Sequence, residues 1–456
     1  MRDREAGAAA PRATRRALFG WVMFDWAQQP FYTLVTTFLF APYFANVFVG
    51  DPVRGQALWG YGAAAAGLIV AVTSPLMGAM ADQTGRRKPW VAGLSVLLVV
   101  MTGALWMAIP GAGHLVLPVI IAFVLATVAA EGSVVFTNAM MCDLVGPDRL
   151  GRLSGIGWAV GYVGGIASLL IVAGLIVTGP DGGATLLGLE PIIELDTASR
   201  QGDRLVGPFT ALWYLIFVIP FFIFTPDRAR RRRRANLAQG LRTLRETLSQ
   251  VRAYRNVVTF LLARMLFIDG LGAIFAFGGI YGAAIFSWRG SELGVFGIVL
   301  TIAGAIGAFF GGRLDDRLGA KPVMIGALLG LIAAAFAIIS IDERHILYWI
   351  EVRAPEPHDG LFASTPERVY LALAVLIGLV AGPLQASSRS LMARISPPER
   401  ITQFFGLFAF SGKITSFIAP LLVGLVTTWS QSQRLGIATT VLFLAAGLAL
   451  LTRVET

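Results

Sequence analysis

The sequence predicts an all-α integral membrane protein with twelve transmembrane helices arranged as two six-helix pseudo-repeats. Three observations predict it. The 456 residues are 56% hydrophobic and only 14% charged, with a mean hydropathy of +0.70, whereas soluble domains keep a more polar exterior. Apolar runs long enough to cross a bilayer recur along the whole chain. The pattern G-x-x-x-D-x-x-G followed by basic residues occurs twice, starting at Gly78 and at Gly312, 234 positions apart, and each copy joins two apolar runs.

A helix needs roughly 20 apolar residues to cross the hydrocarbon core. The first half supplies runs at 18–48, 57–81, 90–109, 115–141, 153–178 and 209–224. The second half supplies 257–286, 293–314, 323–341, 369–388, 403–427 and 435–451. Residues 1–17 form a polar, Arg-containing tail, and the run after it is too long for a signal-peptide core and lacks a small-residue cleavage site. The expected organisation is therefore a tail at 1–17, a six-helix half at 18–225, a basic linker at 226–255 and a second half at 256–456. Pro30, directly after Gln29, is expected to break the first span and free carbonyls there.

Lys and Arg in short loops orient the spans. One side collects Arg2, Arg4, Arg12, Arg15, Arg16, Arg86, Arg87, Lys88, Arg149, Arg152, Arg313, Arg317, Lys321, Arg394 and Arg400. The linker adds Arg228 and the run Arg230 to Arg234. The other side carries Arg54 and Arg289 and two longer loops, at 179–208 and 342–368, the first with Asp181, Glu190, Glu194, Asp196 and Asp203. Both termini are thus expected on the cytoplasmic side. Residues 240–255 place Leu241, Leu244, Leu248 and Val251 at helical spacing among arginines, which predicts an amphipathic helix on the membrane surface. The Arg run reads as an anchor facing anionic lipid, so the net charge of +10 implies a bilayer partner and no nucleic acid.

The halves correspond residue by residue. Pro147, Arg149, Gly155 and Gly161 match Pro398, Arg400, Gly406 and Gly412 at a constant offset of 251, and Phe24-Asp25-Trp26 corresponds to Ile268-Asp269-Gly270. The fifth span is dense in glycine, at Gly155, Gly157, Gly161, Gly164 and Gly165, which suits close, sliding helix contacts.

Further strings carry a family resemblance. They are Gly20-Trp21-Val22-Met23-Phe24-Asp25-Trp26-Ala27, Gly85-Arg86-Arg87-Lys88-Pro89-Trp90, Ser154-Gly155-Ile156-Gly157-Trp158-Ala159-Val160-Gly161-Tyr162 and Phe275-Ala276-Phe277-Gly278-Gly279-Ile280-Tyr281. Gln385-Ala386-Ser387-Ser388-Arg389-Ser390 and Phe404-Phe405-Gly406-Leu407-Phe408-Ala409-Phe410-Ser411-Gly412-Lys413 extend it. With the two basic loops, the chain resembles the vacuole-effluxer-like group of the major facilitator superfamily, which includes an autophagy-related fungal vacuolar amino-acid exporter and bacterial members. Relatives often carry Tyr-Asn and Leu-Pro near the end of the fourth span, where this chain has Thr137-Asn138 and Met141-Cys142. The resemblance implies the major facilitator fold, alternating access and, as a bacterial-type member, a bacterial-type inner (plasma) membrane. In that fold the first, fourth, seventh and eleventh spans line a central cavity.

Charged groups deep in a span are costly and mark pathways. Asp25, Glu131, Asp269 and Lys413 fall on those four spans. At a rise of about 1.5 Å per residue they lie roughly 13–21 Å from the nearest basic or acidic loop. With Gln28, Gln29, Asn138 and Gln385 they are the expected substrate and proton pathway. Glu131 and Lys413 together would suit a zwitterion, and Lys413 is expected to pair with Glu131 or Asp269. Arg264 and Arg389 sit nearer the basic side and are expected to snorkel. Asp82, Arg86 and Arg87, with Asp316, Arg317 and Lys321, are the expected conformational latch, the acids capping helix ends and pairing with arginine.

Other classes are disfavoured. The absence of G-x-x-x-x-G-K-[ST], H-E-x-x-H and G-x-S-x-G argues against ATP drive and enzymatic hydrolysis. One cysteine, Cys142, and three histidines, His114, His345 and His358, at or near loops predict no metal site, disulfide or cofactor. No large soluble appendage supports a sensor. The expected function is secondary transport of a small polar solute, such as an amino acid, coupled to protons, by a monomer. Efflux of a drug or lipid-like solute is the alternative.

Overall fold

The computed structural model describes residues 13–178, 183–185, 187–227, 236–249, 253–286, 288, 290–341, 344–352 and 362–455. The Arg230 to Arg234 run, Arg2, Arg4, Arg12, Arg228, Asp181, Val251, Arg289 and His358 lie outside them. Among the described residues the chain is almost entirely helical. Eleven helical stretches are long and apolar enough to cross a membrane, and one further apolar helix is shorter.

Helix α1 (Arg15–Pro30) starts at Thr14, whose hydroxyl accepts from Ala17 N–H at 3.2 Å. Pro30 does not break the span. Beyond it the chain widens into a π-helical stretch, Phe31–Phe38, then α2 (Phe40–Tyr43) and a second π segment, Phe44–Phe48. The Tyr32 carbonyl is taken up by the hydroxyls of Thr36 and Thr37, at 2.7 and 2.9 Å, so the expected free carbonyl there is satisfied. Helix α3 (Pro52–Thr84) is capped by Asp51, whose Oδ1 accepts from Val53 and Arg54 N–H, and it stops at Gly85 in the left-handed region (φ 68°). Helices α4 (Lys88–Ala104), α5 (Val116–Leu144) and α6 (Leu150–Ile171) follow.

The sixth span is longer than its apolar run at 209–224. Helix α7 (Gln201–Phe217) begins in a polar turn held by the Arg200–Asp203 ion pair at 2.8 Å, and α8 (Ile219–Phe224) completes it. The amphipathic helix lies at α9 (Leu237–Ser249), slightly earlier than expected, with Asn236 N–H donating to Gln83 and Gly240 against Met80. Helices α10 (Arg255–Phe286), α11 (Gly290–Leu318) and α12 (Ala320–Ile339) lead to a small antiparallel hairpin, β1 (His345–Ile346) and β2 (Ile350–Glu351). Helix α13 (Thr365–Ile395) opens on a capping box between Ser364 and Glu367.

The eleventh span corrects the sequence expectation of one helix over 403–427. It is split into α14 (Ile401–Ser411) and α15 (Ile418–Ser430), and α16 (Gln433–Leu451) ends the fold. At about 1.5 Å per residue neither half-helix reaches the roughly 30 Å core. The intervening residues 412–417 begin with Gly412, the poorest helix former of the segment, and Ser416 Oγ bonds back to the Lys413 carbonyl at 3.0 Å. Apolar run length alone cannot register this break.

Two large hydrophobic clusters, with a small third one of Ala273, Ala419 and Val423, form the interior among the described residues. One runs from Ala17 to Phe221; the other spans Val257 to Val454, joined by Val135 and Ala139 of α5. Large apolar side chains such as Leu68, Leu117 and Leu442 stay exposed outside, as a lipid-facing surface requires. The clusters meet through glycine. An added Cβ at Gly406 would lie 2.5 Å from the Ser74 carbonyl, and one at Gly155 would strike the Ala308 carbonyl and Gly312. These contacts bring α14 onto α3 and α6 onto α11.

Candidate functional site

A cavity of about 390 Å³ lies between the clusters, within the size range of small-molecule sites. Seven of the eight expected pathway residues line it: Asp25, Gln28, Gln29, Glu131, Asn138, Gln385 and Lys413. Asp269 does not. The neighbouring Ile268 faces the cavity, and Asp269 turns away toward Thr415 at the break between α14 and α15, buried at 4% exposure. One residue of helical advance rotates a side chain by about 100°, so correspondence with Asp25 across the repeat does not carry orientation with it.

Two ion pairs cross the cavity. Lys413 Nζ lies 2.8 Å from Glu131 Oε1, bridging α5 and the α14–α15 break. This decides between the two partners the sequence offered. Arg389 Nη1 lies 3.3 Å from Asp25 Oδ2 and donates to Asn138 Oδ1 at 3.3 Å. Its Nε donates to Ser154 Oγ at 2.8 Å and its Nη2 to the Ser154 carbonyl at 2.7 Å. Arg389 is therefore buried in the cavity wall and does not snorkel, and Arg264 lines the same cavity. Sequence reasoning placed both too near the surface. The signal was in the partners: Asp25, Asn138 and Ser154 each lie deep in a span, and a guanidinium can bond all of them at once.

The amides divide by role. Gln28 donates to the Ala130 carbonyl at 2.8 Å and to Tyr32 Oη at 3.2 Å, joining α1 to α5. Gln385 donates to Tyr162 Oη at 3.1 Å. Gln29 lines the wall beside Gly165. Trp158, Tyr162, Phe275, Phe405 and Phe408 supply an aromatic lining, which charge and amide positions along the sequence do not mark.

The basic loops form a second site at the face carrying both described chain ends. Asp82 accepts from Thr402 N–H at 3.2 Å and Gln403 N–H at 2.8 Å, capping α14 of the opposite cluster. Its corresponding residue Asp316 accepts from Arg152 N–H at 3.1 Å, at the start of α6. Arg87 donates to Thr402 Oγ1 at 2.8 Å and to Asp143 at 2.5 Å, and stays 4.0 Å from Asp82. Arg86 and Arg317 are exposed, and Lys321 binds the Thr452 and Val454 carbonyls at 2.9 and 2.6 Å. These three lie outside the inter-cluster contact. Asp315, which the sequence reading passed over, packs against Gly151 of α6: 1% exposed, it accepts within its own half from Arg394 and Ser390 of α13, each at 2.5 Å. The repeated motif aligns Asp82 with Asp316 and hides the acid beside it.

The description "Vacuole effluxer Atg22 like" fits residues 47–456 as a family match. An uncharacterised MFS-type transporter of Bacillus subtilis, YxiO, is 24% identical over 436 residues, covering 94% of this chain and 93% of its own length. Autophagy-related protein 22 of Cryptococcus neoformans is 28% identical over 314 residues, 66% of this chain. The chain spans about half the length of such fungal relatives. In fold it is similar to the human organic anion transporter MFSD10 (TM-score 0.69, 15% identity, covering 96% and 99% of the two chains). It is equally similar to FucP in its outward conformation (TM-score 0.69, 14% identity, covering 97% and 98%). The family description and the fungal relatives point to a vacuolar membrane and overturn the expectation of a bacterial-type inner membrane. Loop charge reports how a chain inserts, and spans of this length fit many bilayers, so the sequence carried no physical signal for which membrane holds it.

Proposed function

The chain belongs to the vacuole-effluxer family of the major facilitator superfamily, and we propose that it carries a small polar solute by alternating access with a coupled proton. Membership makes it a secondary transporter of a small solute rather than an enzyme. The finer reading rests on one observation, the Glu131–Lys413 pair at 2.8 Å across the central cavity. A carboxylate facing both a cation and a solute-sized space can exchange one for a proton and the other for a ligand. Protonation of Glu131 releases Lys413, and release loosens the contact between the two hydrophobic clusters. The halves at 18–225 and 256–456, joined by the linker at 226–255, are the moving bodies. The family resemblance by itself suggests amino acids, a class that the charge arrangement of the cavity puts to the test.

The test is transport by the purified chain in liposomes. Glu131→Gln holds the site in its protonated form. Gradient-driven uptake is expected to be lost while solute exchange persists. Driven uptake equal to that of the unaltered chain would make Glu131 a structural residue and remove the coupling proposal.

A further inference from the structure

Charges around the cavity do not balance. The residues lining it carry three cations, Arg264, Arg389 and Lys413, and two acids, Asp25 and Glu131. Each acid is already committed, Asp25 to Arg389 at 3.3 Å and Glu131 to Lys413 at 2.8 Å. Arg264 has no carboxylate within 4.0 Å among the described residues, and Glu131 and Asp269 act on it only at longer range. Its Nη1 donates to the Phe408 carbonyl at 2.7 Å and to Ser411 Oγ at 2.9 Å. Its guanidinium lies 3.6 Å over the Phe408 ring, and its Nε is buried without a partner. The ring and the α14 carbonyl therefore fix the group, which remains short of an anion.

A fixed, planar guanidinium on a cavity wall is the arrangement that binds an oxyanion through paired N–H groups. Balanced pairs at Glu131 and Lys413 had suggested a zwitterion, but those two groups satisfy each other. The surplus charge belongs to Arg264. Phe405 and Phe408 beside it and Trp158 and Tyr162 on the same cavity give the remainder of a ligand an aromatic surface.

We propose that Arg264 is the anion-binding point of the cavity and that the transported solute is an organic anion, a carboxylate or a phosphate ester, with an apolar body against the aromatic wall. This rests on the transport reading above and names its substrate class. Asp269 lies outside the cavity lining and acts on Arg264 only at longer range, whereas Arg264 itself lines the cavity.

The test is thermal stabilisation of the full-length purified chain, since a ligand that binds the folded state raises the unfolding midpoint. The probes are 3-phenylpropionate, its neutral amide, phenylalanine and phenyl phosphate. At least one of the two anions is expected to stabilise, more than the amide or phenylalanine does, and the one that does so identifies the oxyanion. Arg264→Gln is expected to weaken that binding about tenfold to a hundredfold, the range for hydrogen bonds to a charged group. In Arg264→Gln/Glu131→Gln, Lys413 loses its acid, and anion binding is expected to return in part. If Arg264→Gln does not fold, Arg264→Lys decides, with the anion preference kept at reduced affinity. The proposal is overturned if neither anion stabilises, if the amide or phenylalanine does so equally, or if the Arg264 variants bind anions as the unaltered chain does. Liposomes separate the two readings. Solute movement without anion preference removes this inference alone, whereas no solute movement removes the transport reading itself.

Discussion

Arg389 holds one guanidinium against four groups from three helices, Asp25 on α1, Asn138 on α5 and both oxygens of Ser154 on α6. Its own helix, α13, belongs to the other hydrophobic cluster. Removing one partner of such a buried pair leaves an uncompensated charge, worth about 3–5 kcal/mol. Arg389→Gln is therefore expected to lower stability by that order, read as a fall in the unfolding midpoint of the purified chain. Arg389→Gln/Asp25→Asn removes both charges and should recover a good part of it. A double variant no better than the single one would show that packing against Trp21 and Trp158, and not the ion pair, accounts for the loss. Gly157 belongs to the same unit, because a Cβ there would meet Asp25 Oδ2 and lie 2.9 Å from Arg389 Nη2.

At the scale of elements, the two glycine contacts, α6 on α11 and α3 on α14, set how closely the clusters approach at the basic face. At Gly406 any Cβ would overlap the backbone of Ser74 and Pro75. Backbone cannot yield as a flexible side chain can. Gly406→Val is expected to hold the helices apart and depopulate the closed arrangement. Spin labels placed at the exposed positions Asp148 and Glu399, which correspond across the repeat, would read it as a longer mean distance. The same distances in the variant and the unaltered chain would mean that α3 and α14 do not set closure. The break in the eleventh span works at this scale too. Arg264 occupies the carbonyl end of α14, as a cation at a helix C-terminus should, and the turn places Lys413 in the cavity.

For the whole molecule, Asp82 and Asp316 each cap the first turn of a helix in the opposite half, and we propose that these caps latch that face shut. On this reading all three bonds must break for the cavity to open toward that face. A hydrogen bond to a charged group contributes about 1.5–3 kcal/mol. Asp82→Asn keeps the shape but lowers the charge, so the population should shift about tenfold or more toward opening at the basic face. The same Asp148 and Glu399 labels would report it, and anion affinity should change only through that shift. Unchanged distances together with lost binding would place Asp82 in the ligand site and end the latch reading.

The all-α, multi-spanning fold, eleven of the twelve expected spans and the depth of most of the cavity's polar residues were legible in the sequence. They follow from run length and loop charge, which are one-dimensional properties of the chain. Seven of eight pathway residues reached the cavity because depth along a span is close to a linear quantity. Direction around the helix is not. Asp269 turned away, Arg264 and Arg389 turned in, and Asp315 displaced the exposed Arg317 as the buried partner at the latch. Partner choice was likewise beyond the sequence, since Lys413 could reach Glu131 or Asp269 until the eleventh span broke at Gly412. Only the tertiary structure brings helices from both halves around one space, and the charge balance of that space exists nowhere along the chain.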